Sequence, residues 1–268
     1  MTRPISRRFL RSAGAVVSAV ACLVAVAAAR ASSSSAIVNG QPVNDASFAY
    51  VGYLIGPYDQ CTATLIAPDW ALTAGHCVGH NGSAVSASEV QITFNFNRLA
   101  KPYHPLGGEL RTASRIFYAN AGLALVNLDA PVTDVAPVQL VTPDDQSYLV
   151  KRGYDLTAVG WGAINDKGTI PSLELRSGLT HVADTSTIDP LEYGQIKTDT
   201  SKNAPALSDN GDSGGPLLSY QNGDVEVGIA NQGARIPIYG LYASYYVPVG
   251  NKNVYSWISG TCGCLGGT

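Results

Sequence analysis

The sequence predicts an all-β protein, a barrel or a sandwich, and three observations predict it. Short runs rich in β-branched and aromatic residues recur along the chain, proline and glycine punctuate the stretches between them, and no helical period of useful length occurs before the C-terminal end. The 268 residues are 46% hydrophobic and 14% charged, ample for a core and unlike a disordered chain.

Taken in order, residues 1–36 stand apart. Arg3, Arg7, Arg8 and Arg11 precede an unbroken small and apolar run at 13–29, and Ala29-Arg30-Ala31 has the pattern of a cleavage site. This predicts a secretory signal peptide over 1–31, a short propeptide over 32–36 and an extracellular product. Ser6-Arg7-Arg8-Phe9-Leu10 is also similar to a twin-arginine export signal, which would imply a bacterial source. The apolar run is short, Ala-rich and followed by no charge cluster, so no membrane association is expected after processing. Five of the seventeen basic residues and none of the twenty acidic ones lie in 1–36, leaving a net charge near −8 for the remainder. An acidic domain without a basic stripe argues against nucleic acid as a partner.

Strand signals begin near residue 49. Residues 51–55, 62–66 and 91–97 are β-rich, and Ile92, Phe94 and Phe96 alternate with polar residues as a half-buried strand does. Pro57, Pro68, Gly79, Gly82, Pro102, Pro105 and Gly107-Gly108 mark the turns between them. Residues 123–128 form another apolar strand before Pro131, and 156–162 end in Gly160-Trp161-Gly162. Residues 225–229 and 240–245 also read as strands, and 254–258 predict a closing helix with Trp257 turned inward.

Three short motifs carry chemistry. In Asn210-Gly211-Asp212-Ser213-Gly214-Gly215-Pro216, a serine lies between glycines, so a carbonyl can approach it and backbone N–H groups can converge on an oxyanion. Alone, such a run is compatible with a simple turn. Leu72-Thr73-Ala74-Gly75-His76-Cys77 offers a general base, and Ile37-Val38-Asn39-Gly40 a processed amino terminus. Together, in this order, they resemble the chymotrypsin/trypsin-like serine peptidase family, from Ile37 to Trp257-Ile258.

The resemblance implies two antiparallel six-stranded β-barrels, over 37–145 and 146–268, with a short C-terminal helix and a site in the cleft between them. It implies a secreted, monomeric serine endopeptidase acting on protein or peptide substrates, open to a proteinaceous inhibitor and using no cofactor and no metal. Ser213 would be the nucleophile, His76 its base, and the N–H groups of Gly211 and Ser213 the oxyanion hole. Cleavage before Ile37 would free an ammonium that pairs with Asp212. Ala36 is not basic, so self-activation by a trypsin-like cut is not expected. Cys61 and Cys77 match the bridge that staples the histidine loop, and Cys22 leaves with the signal peptide. His80, His104 and His181 read as surface residues.

The chain departs from the family at important positions. Where the family's third triad member, an aspartate, opens a run of the form Asp-Ile-Ala-Leu-Leu, this chain has Gly122-Leu123-Ala124-Leu125-Val126. In peptidases with this triad, changing that aspartate to asparagine costs about 10⁴ in turnover. Asn231 matches a position close to the triad aspartate; either its amide fills the vacated volume and orients His76, or it is an ordinary strand residue in a degenerate site. Leu207 takes the base of the substrate pocket, with Gly233 and Gly240 as small wall residues, which favours an apolar side chain. Asp209 replaces a bracing cysteine and faces either the pocket or water. Cys262-Gly263-Cys264 is open between a local bridge, an intermolecular link and free thiols; two further ligands for zinc are missing. Two readings compete with the peptidase: a pseudoprotease that binds a protein partner or inhibitor, and a disulfide-linked surface protein.

Overall fold

The computed structural model describes residues 37–119, 122–165, 168–184, 194–200, 203, 205–220, 224–236 and 241–265. The expected signal peptide and propeptide, and Gly240, lie outside the described residues.

Six strands form the first barrel: β1 (Val51–Ile55), β2 (Gln60–Ala67), β3 (Trp70–Ala74), β4 (Gln91–Phe94), β5 (Glu109–Tyr118) and β6 (Leu123–Leu128). They pair antiparallel in the order β1-β2-β3-β6-β5-β4 and close back on β1. The second barrel is built from β7 (Asp155–Gly160), β8 (Arg176–Asp184), β9 (Ile196–Asp199), β10 (Pro216–Ser219), β11 (Val225–Ile236) and β12 (Leu241–Pro248). Its order is β7-β8-β9-β12-β11-β10, closed by β10 against β7, so the two barrels share one topology. Closure leaves few free strand edges. Gln41–Pro42 pairs with β8 and Gln139–Leu140 runs parallel to β11.

Apolar side chains from the strands, most of them buried along nearly their whole length, fill the interiors. Leu54, Leu65, Leu72, Ile92, Phe94 and Leu125 are fully buried in the first barrel, and Leu217, Val227, Ile229 and Tyr246 in the second. The strand expected over 91–97 stops at Phe94, because Asn95 adopts φ 59°, a left-handed conformation that ends the ladder. The closing helix, α1 (Lys252–Cys262), is longer than the apolar pattern predicts. Asn251 caps it, its Oδ1 accepting from the N–H groups of Asn253 and Val254, and Gly263 ends it at φ 63°. The residues α1 buries completely are Val254 and Ile258, one turn apart, while Trp257 is only half-buried.

Candidate active site

Thr62, on β2 of the first barrel, fixes the nucleophile loop of the second. Its N–H donates to the Ser213 carbonyl at 2.9 Å, its hydroxyl donates to the Gly211 carbonyl at 2.9 Å, and the same oxygen accepts from Trp161 N–H at 3.1 Å. Thr73 on β3 donates in turn to the Thr62 carbonyl at 2.8 Å. The serine is thus held from the barrel that carries the histidine.

Within the loop, Asp212, Gly214 and Gly215 donate their N–H groups to the Asp209, Ala230 and Asp212 carbonyls. Among the described residues no backbone acceptor takes the N–H of Gly211 or Ser213. Gly211 has φ 93°, and a Cβ there would stand 2.9 Å from Gly162 Cα, so only glycine lets the loop turn its amide this way. Two unspent amides flanking an aspartate beside a half-exposed serine can receive an oxyanion.

Asp212 points away from this surface and is fully buried. Its carboxylate accepts from Gly162 N–H at 2.8 Å, Asp209 N–H at 2.9 Å and the backbone N–H of Ile37, itself fully buried. Burial pushes the carboxyl up to about 7, against the lowering effect of those hydrogen bonds.

His76 lies in a 3-10 turn, Gly75–Val78, that follows β3. The Cys61–Cys77 bridge ties this turn to β2. Cys77 Sγ also touches the Ser213 carbonyl at 3.6 Å; a disulfide sulfur has no proton to donate, so this is packing. His76 is solvent-exposed on one side, and desolvation on the other lowers its pKa, opposed by the charge of Asp59. Cys61, His76 and Cys77 bring ligand-type atoms within 4.8 Å of one another, but the sulfurs are spent in the disulfide and offer no thiolate to a metal.

Gly122 abuts this turn, its carbonyl accepting from Gly75 N–H at 2.7 Å. It has φ 79°, and a Cβ on it would lie 3.2 Å from Asn231 Oδ1 and 3.3 Å from Asn231 Nδ2. The Asn231 carboxamide therefore packs on the bare face of Gly122. Among the described residues no hydrogen bond joins His76 to Asn231 or to Ser213.

Leu207 is nearly buried and bridges Val38, its N–H donating to the Val38 carbonyl at 3.1 Å. Gly233 stands over the Ser208 carbonyl, 3.3 Å from where its Cβ would be. Behind them lies a hydroxyl cluster that motif reading missed: Ser208 Oγ is 2.5 Å from Tyr246 OH, and Ser244 Oγ accepts from Ser208 N–H at 2.9 Å. Asp209 turns neither simply to the pocket nor to water. Its Oδ1 accepts from Asn210 N–H at 2.8 Å and lies against the Gly168 loop. A cavity of about 160 Å³ is lined by Tyr53, Gln60, Trp161 and Gly211, among others. Cys262 and Cys264 form a local bridge with each other, not free thiols or an intermolecular link.

Compared with known protein families, the chain matches the family model described as Trypsin over residues 37–258.

Proposed function

Since the chain belongs to the trypsin family of serine peptidases, which act on protein or peptide substrates, we propose that it is a secreted endopeptidase in which Ser213 and His76 carry acyl transfer without a triad aspartate. Ser213 Oγ attacks the substrate carbonyl while His76 takes its proton. The N–H groups of Gly211 and Ser213 receive the oxyanion, and protonated His76 then returns the proton to the leaving amine. Water repeats the sequence on the acyl-enzyme. Removal of a signal peptide at 1–31 and a propeptide at 32–36 frees the Ile37 ammonium, which pairs with Asp212 and fixes the loop that bears the oxyanion donors. Asn231, packed against Gly122, takes the place of the missing carboxylate, and the lack of a charge there attenuates turnover.

The observation that carries this reading is the pair of unspent amides at Gly211 and Ser213, in a loop held from the barrel that carries the exposed His76. A protein kept only for binding has no use for a free oxyanion pocket. Gly122 and the missing His76–Asn231 hydrogen bond favour a second reading, a pseudoprotease that binds a partner or inhibitor through the same cleft.

The test is labelling of protein beginning at Ile37 with a fluorophosphonate serine probe across pH, beside Ser213→Ala and Asn231→Ala. Labelling that requires Ser213 and rises through a histidine-like midpoint supports the peptidase. Correctly folded and processed protein that never labels supports the pseudoprotease. If labelling occurs and Asn231→Ala leaves it unchanged, Asn231 has no part in it.

A further inference from the structure

Neither Gly122 nor Asn231 brings a negative charge to His76, yet proton transfer from a serine creates an imidazolium that a charge would stabilise. A carboxylate on a different element is tied to the histidine turn through its neighbours in the chain. Asp59 belongs to the connection between β1 and β2, whose Gly56 N–H donates to the Asp59 carbonyl at 2.9 Å. Two independent ties clamp this connection onto the histidine turn. Before Asp59, the Tyr58 ring stacks on His80 with centroids 4.0 Å apart and planes 19° from parallel. After it, Cys61 is bridged to Cys77 with a Cα–Cα distance of 6.0 Å. A Cβ on Gly56 would stand 3.0 Å from the Cys77 carbonyl oxygen, so the backbones are in contact between these ties as well. The connection that carries Asp59 is therefore held against the segment that begins at His76.

Among the described residues Asp59 has no ion pair, and its side chain makes no hydrogen bond, so its charge is not consumed elsewhere. We propose that Asp59 is an electrostatic positioning residue for His76, stabilising the imidazolium from outside the triad and supplying part of what Gly122 does not. This rests on the reading of His76 as the base. Consistent with the geometry, the Asp59 charge favours the protonated imidazole and partly offsets its desolvation.

The other groups around the turn cannot take this role. Tyr118 on β5 covers Gly75 and Gly79, but its phenol is neutral, its pKa raised by burial. His80 is engaged with Tyr58, and Asn231 on β11 is uncharged. Asp212 is buried among the N–H groups of Gly162, Asp209 and Ile37. Asp59 is exposed, so its influence is modest and sensitive to salt.

The experiment is an NMR titration of the His76 ring in protein beginning at Ile37, wild type against Asp59→Asn and Asp59→Glu, with probe labelling and peptide turnover across pH on the same samples. In Asp59→Asn the His76 midpoint and the midpoint of labelling both move to lower pH. Turnover falls about two- to fivefold with KM little changed, the scale of an exposed charge pair. Asp59→Glu restores all three, and about 1 M salt, where the screening length is about 3 Å, erases the difference. A His76 titration identical in wild type and Asp59→Asn at low salt overturns the proposal. The ring titrates whether or not the enzyme turns over, so absence of labelling in every form would overturn the peptidase reading and leave the Asp59 result readable.

Discussion

Glu226 is the group whose replacement tests the structure most sharply. It is fully buried on β11 at the seam between the barrels, and neither carboxylate oxygen has a hydrogen-bond partner among the described residues. Thr64 faces it from β2, yet no hydrogen bond of ordinary geometry joins them, and Thr64 Oγ1 is likewise unpartnered. Burial holds the carboxyl pKa well above its ordinary value, which favours the neutral acid. An unsatisfied buried polar group costs about 1–3 kcal/mol. Glu226→Leu removes that cost at similar volume, and should stabilise the protein by that amount, or roughly 2–4 °C in Tm per kcal/mol for a domain of this size. The pH dependence follows from the sign of the shift. A raised folded pKa means the wild type is at its relative best below the unfolded value, near 4.5, and loses stability as pH rises toward the folded pKa. The gap between Glu226→Leu and wild type should therefore widen from about pH 4 upward. Urea unfolding across pH, in a Ser213→Ala background to prevent autolysis, measures it. Equal midpoints at every pH, or a gap that narrows as pH rises, would refute the placement of Glu226.

Placing a carboxylate at position 122 by Gly122→Asp, to supply the triad member proposed to be missing, should fail. The site has φ 79° and the new Cβ would meet Asn231 at 3.2 Å, so a loss of about 1–3 kcal/mol with no gain in turnover is expected from urea melts and peptide assays. Replacing Cys61 and Cys77 with alanine opens a loop of sequence separation 16 and should cost about 3 kcal/mol in urea unfolding, with His76 less well placed; the Cys262–Cys264 pair, separated by 2, should cost far less. Asp212 sits at about 7 while Ile37 donates only a peptide N–H, a raised value, so a chain that retains residues 32–36 should lose stability as pH rises from about 4 to about 7. In the chain that begins at Ile37 the ammonium should abolish that loss, which urea midpoints of the two forms at several pH values would show.

How far the sequence discloses this molecule depends on whether a feature is local. Alternation at Ile92 and Phe94 is a property of one strand, and it correctly marks residues that end up fully buried. The pairing of six strands into each barrel is not local, and it came into view through the three motifs and the family they resemble rather than through periodicity. The bare face of Gly122 and the amide of Asn231 lie on different barrels; the motifs pointed to both positions, but only the fold brings them into contact. Asp59 carried no motif at all. The connection that bears it is fixed to the histidine turn by a ring stack and a disulfide, neither of which leaves a spacing that singles out the residue between them.

Glu226 shows the same limit from the opposite side. In Val225-Glu226-Val227 a charged residue between two valines reads as the outward position of a half-buried strand. That inference assumes one face of β11 meets water. Here the first barrel stands against this strand, with Thr64 facing Glu226 and Tyr50 OH donating to Asp224 Oδ2 at 3.4 Å across the same seam, while Gln139–Leu140 pairs along the strand's edge. Val225 is accordingly the half-exposed member and Glu226 the buried one. A strand covered on both faces erases the period-two signal, because polar and apolar positions are then selected by which neighbour they meet rather than by water. Burial favours the neutral carboxyl there, so a residue that the local pattern places in solvent becomes one that, like Asp212, ties stability to pH.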